Sequence, residues 1–325
     1  MKPSNYVRIV YERLVQFFQT RIGLRLLKAG KLVIQVFILL VLTWQVLNIG
    51  WQSVVSNIPS QPLFYLIFLL MYFALPISEY FAYKFHWNIS FWKSQVFFLE
   101  KRIYNKSFLG YSGEVQLFFR IKNLLGINQK HAYEVIRDNN LLSTLASTGF
   151  ALLLITLFII TGKLTVFKWV DYESVIYIPL IITSITVGII IFRKYRIYLF
   201  SMKRRQAIPV FLIHGGRVGL VTFLQVIQWY VVMPEVAFQV WFTIVALMLF
   251  ISRIPFLPNK DLIFISASLE LGQHIELSSA GLASILIMNN LLDKLLNLIV
   301  FSILFTRNRC IGNTSADASS TSVTS

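Results

Sequence analysis

The sequence predicts an all-α fold, a polytopic integral membrane helical bundle of seven to eight spans with one or two re-entrant helical elements. Hydrophobic residues make up 56% of its 325 residues and charged residues only 14%, whereas soluble domains carry roughly 25% charged residues. Several apolar runs reach the ~20 residues that a helix needs to cross the hydrocarbon core. The basic residues behind the net charge of +16 cluster at the ends of these runs, as topology determinants do. We therefore expect a membrane protein without a nucleic-acid partner.

The chain divides into three predicted parts. Residues 1–31 form a basic amphipathic interfacial helix, because Val7, Val10 and Leu14 recur at helical spacing among Lys and Arg residues. Residues 32–306 form the transmembrane domain. Residues 307–325 are a polar tail rich in Ser and Thr, which we expect to be disordered.

Seven apolar segments predict membrane-spanning helices, and two basic segments set their orientation. The spans are expected at about 32–51, 63–80, 141–162, 175–192, 208–232, 236–251 and 284–305. Segment 81–140 holds nine Lys or Arg against four acids, and segment 193–205 holds six Lys or Arg and no acid. By the positive-inside rule, both segments and the N-terminus face the cytoplasm. The prediction is a multi-pass protein of the inner (cytoplasmic) membrane.

Two further stretches, 91–139 and 258–277, are too charged to cross a bilayer alone, although apolar runs flank them. Backbone at membrane depth has to be helical, buried in protein or facing a water-filled cavity. Re-entrant helices satisfy this condition, and we predict them here. Within the first stretch, glycine followed by an acid at Gly113-Glu114 is typical of a helix N-terminus inside a fold, where the helix dipole attracts an anionic headgroup.

From about residue 60 to 300 the sequence resembles the flippase-like transmembrane region of lysylphosphatidylglycerol synthases and their stand-alone relatives. The shared pattern is a hydrophobic helix that closes on a glycine turn, then Gly-Glu, a basic residue, a second glycine turn and an Arg before a span. A second signature, Arg-x-Pro followed by a short helix with an acid, lies nearer the C-terminus. The residues at these places are Gly113, Glu114, Arg120, Gly126, Ile127 and Arg137, and then Arg253, Pro255 and Glu270.

The resemblance implies a membrane transport protein that binds or translocates an amphipathic phospholipid or a lipid-linked glycan between leaflets. The aminoacyl-transferring domain of the fused synthases is not expected, because the chain ends soon after its last span. The alternative is a non-transporting membrane scaffold of an envelope polysaccharide or lipid-modification machine. The expected partners are membrane lipids or lipid-linked sugars and, for the alternative, enzymes of envelope biosynthesis.

Six ionisable residues are the candidates for binding the lipid headgroup. They are Glu114, Arg120, Arg137, Arg217, Arg253 and Glu270. Arginine offers a planar fork of donors that matches phosphate oxygens. We expect both charged stretches to converge on one polar cavity, since each needs shelter from lipid.

The same residues also have structural interpretations. Glu114 and Arg120 are six residues apart, so they lie on different faces of one helix and need not pair with each other. Arg217 can snorkel to the cytoplasmic interface from its span. In the last span, Asn289 and Asp293 are expected to hydrogen-bond across helices.

No catalytic set is recognisable in the sequence, which has no Walker loop and no nucleophile with a matching base. The single cysteine, Cys310, excludes an intramolecular disulfide and a cysteine-based metal cluster. Glu270, His274 and Glu276 are close in sequence, but their spacings of four and two put at most two of them on one helix face. We therefore predict no enzyme activity, no cofactor and no metal.

Overall fold

The computed structural model describes residues 40, 43, 44, 47, 51–107, 112–160, 200–253, 259–274 and 277–320. Across these residues every regular element is an α-helix and no strand occurs, which confirms the all-α prediction. The helices are α1 (Trp51–Ser56), α2 (Pro62–Tyr83), α3 (Phe91–Ser107), α4 (Ser112–Leu125), α5 (Gln129–Ile160), α6 (Arg204–Val232), α7 (Phe238–Arg253), α8 (Lys260–His274) and α9 (Ser279–Ser320).

Three of these helices are long and apolar enough to cross a membrane: α2, α6 and the Ser279–Leu304 part of α9. They match the predicted spans 63–80, 208–232 and 284–305. The predicted span 141–162 is continuous with the amphipathic segment before it in α5, and the apolar part of α7 is shorter, over Phe238–Leu249. The total of seven to eight spans remains a prediction.

Several predicted segments lie partly or wholly outside the described residues. The interfacial helix 1–31 and the span 175–192 are wholly outside, and the span 32–51 is mostly outside. Helices α3, α4 and α8 cover the two stretches predicted as re-entrant, whose depth in the membrane remains a prediction. Helix α9 continues to Ser320 and so includes most of the segment 307–325 that was expected to be a disordered tail.

Helix α2 has one exposed apolar face and one buried face. Large apolar side chains recur along it every three or four residues and are exposed, which places them on one face. These side chains are Leu63, Leu66, Leu70, Phe73 and Ile77. A contiguous exposed apolar stripe of this kind marks a surface that contacts lipid or another protein. The other face is buried and becomes polar towards the C-terminus, at Ser78 and Glu79.

The chain divides by its internal contacts into two units, Met1–Ile58 with Leu247–Leu286, and Pro59–Ala246 with Ile287–Ser325. In the second unit α6 packs on α2 and α5, and α3 packs on α2 and α4. An aromatic stack supports this packing, because the ring of Tyr83 lies 4.7 Å from that of Trp87 and 5.3 Å from that of Phe98.

Short turns connect α3, α4 and α5 and keep them adjacent. Helix α4 ends at Leu125, and the next residue, Gly126, has a φ of 60°, the left-handed conformation that glycine adopts without strain. The N–H of Gly126 donates to the carbonyl oxygen of Lys122 at 3.1 Å. Two residues later Oδ1 of Asn128 accepts the N–H of Lys130 at 2.8 Å, which caps the start of α5. The second predicted glycine turn is therefore a helix stop followed by a helix start.

Candidate functional site

A buried lysine is shared by two acids where α2, α3 and α4 meet. Nζ of Lys101 lies 2.5 Å from Oε1 of Glu79 and 3.5 Å from Oε1 of Glu114. The side chains of Lys101 and Glu79 are only 4% and 6% exposed. Nζ also donates to Oδ1 of Asn140 at 3.4 Å, so three acceptor groups surround the ammonium group. We call Glu79, Lys101 and Glu114 the buried charge cluster.

The two acids keep the lysine charged. Burial by itself would lower the pKa of Lys101, but the charges of Glu79 and Glu114 outweigh it and hold that pKa above its ordinary value. A buried ion costs several kcal/mol of desolvation, which only a well-placed partner offsets. The cluster therefore contains one cation and two carboxyl groups that depend on it.

The start of α4 is held against α3 by a single asparagine. Oδ1 of Asn105 accepts the N–H of Gly113 at 2.7 Å, and Nδ2 of Asn105 donates to Oε1 of Glu114 at 3.1 Å. The hydroxyl of Ser112 adds a bond to the carbonyl oxygen of Tyr104 at 2.8 Å. This agrees with the predicted helix N-terminus at Gly113-Glu114. It also shows why the acid points towards α3.

A second ionic network lies beside the first. Asp293 of α9 accepts from Arg102 at 2.6 Å and from Lys106 at 2.8 Å, and Nδ2 of Asn297 donates to it at 3.0 Å. The guanidinium carbon of Arg102 lies 4.1 Å above the ring centre of Tyr72. The prediction that Asp293 bonds across helices is confirmed. So is that for Asn289, which accepts from Gln228 at 3.0 Å.

The two networks surround a polar cavity of about 230 Å³, and an apolar groove of about 580 Å³ adjoins it. The charged residues that line the polar cavity are Glu79, Lys101, Arg102, Lys106 and Glu114. Apolar side chains line most of the groove, among them Val115, Phe118, Ile136 and Leu141. Glu114, Asn140 and Thr144 line both spaces. A charged compartment and an apolar one therefore share a wall.

Arg120 lies in a different pocket from Glu114. Its guanidinium donates to Oε1 of Glu100 at 2.7 Å, and the amide of Gln116 donates to the other oxygen of the same carboxylate. This network lines a pocket of about 670 Å³ between α3, α4 and α9. Glu114 and Arg120 do not pair with each other, as their spacing predicted, and each has its own partner on α3.

Arg137 and the neighbouring Asp138 hold the segment just before α6. Nε and an Nη of Arg137 donate to Oδ1 of Asp138 at 2.9 and 2.8 Å. Oδ2 of Asp138 accepts the backbone N–H groups of Ser201 and Met202, both at 2.7 Å. Arg137 also lines the apolar groove and is 27% exposed. It thus combines a structural ion pair with access to the groove.

Arg217 of α6 lies beside the polar cavity. Its guanidinium is 3.5 Å from the hydroxyl oxygen of Ser143, which lines that cavity. One turn earlier, His214 is fully buried, with Nε2 3.0 Å from Oδ1 of Asn139. The histidine is thus part of the contact between α5 and α6, while the arginine lies nearer the cavity.

The second predicted signature belongs to the other unit. Arg253 is the last residue of α7, Glu270 lies exposed on α8, and Pro255 falls outside the described residues. The expectation of one cavity shared by Arg120 and Glu114 is wrong, because these two residues line separate pockets. That Arg253 and Glu270 converge with either of them remains a prediction. Within the described ranges, no group of three or more His, Cys, Asp or Glu residues is arranged to hold a metal ion.

Three residues at the centre of the site were not among the sequence candidates. Glu79, Lys101 and Asn105 lie within or beside apolar segments, and Glu79 falls in the last turns of a predicted span. An ionisable residue inside a span indicates function by default, and this signal was available for Glu79. Nothing in the sequence indicates that Lys101 would point at it.

Comparison of the chain with known protein families, with characterised proteins and with solved structures gives no match.

Proposed function

We propose that this chain is a membrane transport protein that binds an amphipathic phospholipid or lipid-linked glycan and moves it between leaflets. The observation that carries the proposal is the wall of Glu114, Asn140 and Thr144, which separates a charged cavity from an apolar groove. Ligand sites are typically apolar spaces with a few placed polar groups. A headgroup fits the cavity while an acyl or polyprenyl chain fits the groove.

The placement of the sequence candidates supports the same site. Glu114 lines both spaces, Arg137 lines the groove, and Arg217 contacts Ser143 at the edge of the cavity. Arg120, in its separate pocket, is 37% exposed, and only one of its Nη atoms is used by Glu100. Its remaining donors suit a contact with a lipid phosphate.

The cost of the charges also supports a functional role. An ionised residue near the membrane centre costs roughly 2.5–3.5 kcal/mol on insertion scales, and ion pairs as buried as Lys101 and Glu79 often stabilise a fold no better than apolar residues would. A site that receives polar headgroups would explain why the protein contains such a cluster. The proposal includes an inner-membrane location, a cytoplasmic N-terminus and a total of seven to eight spans.

Lipid movement across liposomes tests the proposal. Purified protein would be reconstituted with acyl-labelled fluorescent phospholipid, and dithionite would bleach the label in the outer leaflet. We expect bleaching to proceed beyond the outer-leaflet share only in protein-containing liposomes. Thr144→Trp places a bulky side chain between the cavity and the groove. It should abolish the bleaching beyond the outer-leaflet share.

Leu145→Trp is the matched control, because Leu145 is the next residue of α5, is exposed and does not line the shared wall. It should transfer lipid like the parent. Lipid that co-purifies with the parent but is never transferred would favour the scaffold alternative. Equal activity of both tryptophan variants would contradict the location of the site.

A further inference from the structure

We propose that the pocket beside Arg120 is a second lipid site, which binds an anionic phospholipid. This pocket of about 670 Å³ lies between α3, α4 and α9 and shares no lining residue with the polar cavity. We call it the Arg120 pocket. The inference goes beyond the proposed function, because a lipid bound here does not have to be moved between leaflets.

The guanidinium of Arg120 is both fixed in position and accessible. One of its Nη atoms donates to Oε1 of Glu100 at 2.7 Å, and the amide of Gln116 donates to the other oxygen of that carboxylate. The Glu100 side chain is only 7% exposed, whereas that of Arg120 is 37% exposed. The carboxylate therefore holds one part of the guanidinium and leaves the rest of it for a ligand. Phosphate oxygens match the donor geometry of that group.

The apolar lining of the Arg120 pocket suits an acyl chain. Phe97, Phe119 and Phe301 each come from a different helix, and all three line the pocket. Phe119 also lines the apolar groove and is exposed, so apolar surface continues from one space into the other. Inorganic phosphate would use the arginine alone, whereas a phospholipid uses the arginine and the apolar side chains. The occupant is therefore an amphiphile.

The position of the pocket along α9 favours a lipid with a net negative charge. Leu304 lines the pocket, and the apolar run of α9 ends one residue later, at Phe305. Arg307 and Arg309 follow in the sequence. Headgroups begin where the hydrocarbon ends, so the pocket lies near headgroup level. Basic residues at this level attract anionic lipids, and these two add to the Arg120 pair, which is neutral by itself.

A competition between two phospholipids tests the charge preference. Delipidated protein in detergent would be mixed with equal amounts of phosphatidylglycerol and phosphatidylcholine that have identical acyl chains. Retained lipid would be measured by mass spectrometry after gel filtration. We expect phosphatidylglycerol to be retained about fivefold over phosphatidylcholine, the effect of one basic residue at a membrane surface. A large excess of inorganic phosphate should not displace it.

Two variants locate the bound lipid, and each has a matched control. Asn123→Trp should abolish the preference, because Asn123 is exposed and lines the pocket, and a bulky side chain there leaves the Arg120–Glu100 pair in place. Gln129→Trp, at an exposed position that does not line the pocket, should have no effect. Arg120→Gln should reduce phosphatidylglycerol retention about tenfold, the effect of one charge-assisted hydrogen bond. Lys130→Gln removes an exposed cation of α5 and should change little.

The Thr144→Trp protein separates this site from the proposed transport site. It should retain phosphatidylglycerol like the parent, since Thr144 does not line the Arg120 pocket. Loss of retention in this variant, or unchanged retention in Asn123→Trp, would place the lipid elsewhere and overturn the inference. Equal retention of both lipids by the parent, or displacement by inorganic phosphate, would overturn the assignment of an anionic phospholipid. A parent that retains phosphatidylglycerol but transfers no lipid in liposomes would contradict only the proposed function.

Discussion

Gly113 at the start of α4 lies so close to the main-chain carbonyl oxygen of Lys101 that a side chain at this position would overlap it. The N–H of the same glycine is bound by Asn105. The close approach of the two helices brings Glu114 to within 3.5 Å of the ammonium group of Lys101. The geometry of the buried charge cluster thus depends on the absence of one Cβ atom.

Gly113→Ala should destabilise the protein. The added methyl group meets main-chain atoms, which cannot rotate away, so α4 has to move and overpacking costs about 1–3 kcal/mol. We expect a lower melting temperature in detergent and less co-purifying lipid. Gly216→Ala is the matched control, because an added Cβ there meets nothing within 4 Å and alanine favours the helix. A melting temperature for Gly113→Ala equal to that of the parent would contradict the close approach.

Removal of Lys101 alone should destabilise the protein more than removal of Lys101 together with Glu79. Lys101→Met leaves Glu79 and Glu114 buried without their cation, and breaking a buried pair costs about 3–5 kcal/mol. The double change Lys101→Met with Glu79→Gln should recover part of this loss, since one buried charge has gone.

A double-mutant cycle on thermal or detergent denaturation measures this coupling. Lys130→Met, at an exposed position of α5, is the control and should have little effect. Strictly additive losses would show that Lys101 and Glu79 do not interact.

Acid should destabilise the loop after α2 through His86. Burial, then the charge of His131, lowers the pKa of His86, and Asp138 opposes this only in part. Because the folded-state pKa lies below the unfolded value of ~6.5, the unfolded chain binds the proton more readily. Stability is therefore undiminished above that pH and falls as the pH drops towards the folded-state pKa. The melting temperature of His86→Gln should fall less than that of the parent between neutral pH and pH ~5.

The segments 81–140 and 193–205 should both face the cytoplasm. In a Cys310→Ser background, Lys130→Cys and Lys194→Cys would be treated in intact cells with a thiol reagent that does not cross membranes. Neither should be labelled until the membrane is opened. We choose Lys130 because it is exposed, whereas Lys106 is tied to Asp293. Labelling of both cysteines in intact cells would show that these segments face the outside and that the predicted orientation is wrong.

Local patterns in the sequence were enough for the all-α class, for three long apolar helices and for some helix ends. The apolar runs predicted α2, α6 and the apolar part of α9, because a helix satisfies its own backbone in lipid regardless of its neighbours. The turn at Gly126 and the helix start at Gly113 were also recognised from the sequence, because the effect of a glycine on the backbone is local. The six-residue spacing of Glu114 and Arg120 likewise placed them on different faces of one helix, so that they need not pair.

Tertiary structure alone decided which charges meet. Lys101 and Glu79 are 22 residues apart, and Arg102 and Asp293 are 191 apart, so no periodicity relates them. Their pairing follows from how α2, α3 and α9 pack. Packing also placed Arg120 and Glu114 in separate pockets, although they lie on one short helix. The sequence determined that charge would have to be sheltered in a membrane protein, because burying it without partners is too costly. Only the packing of the helices determined which partners shelter it.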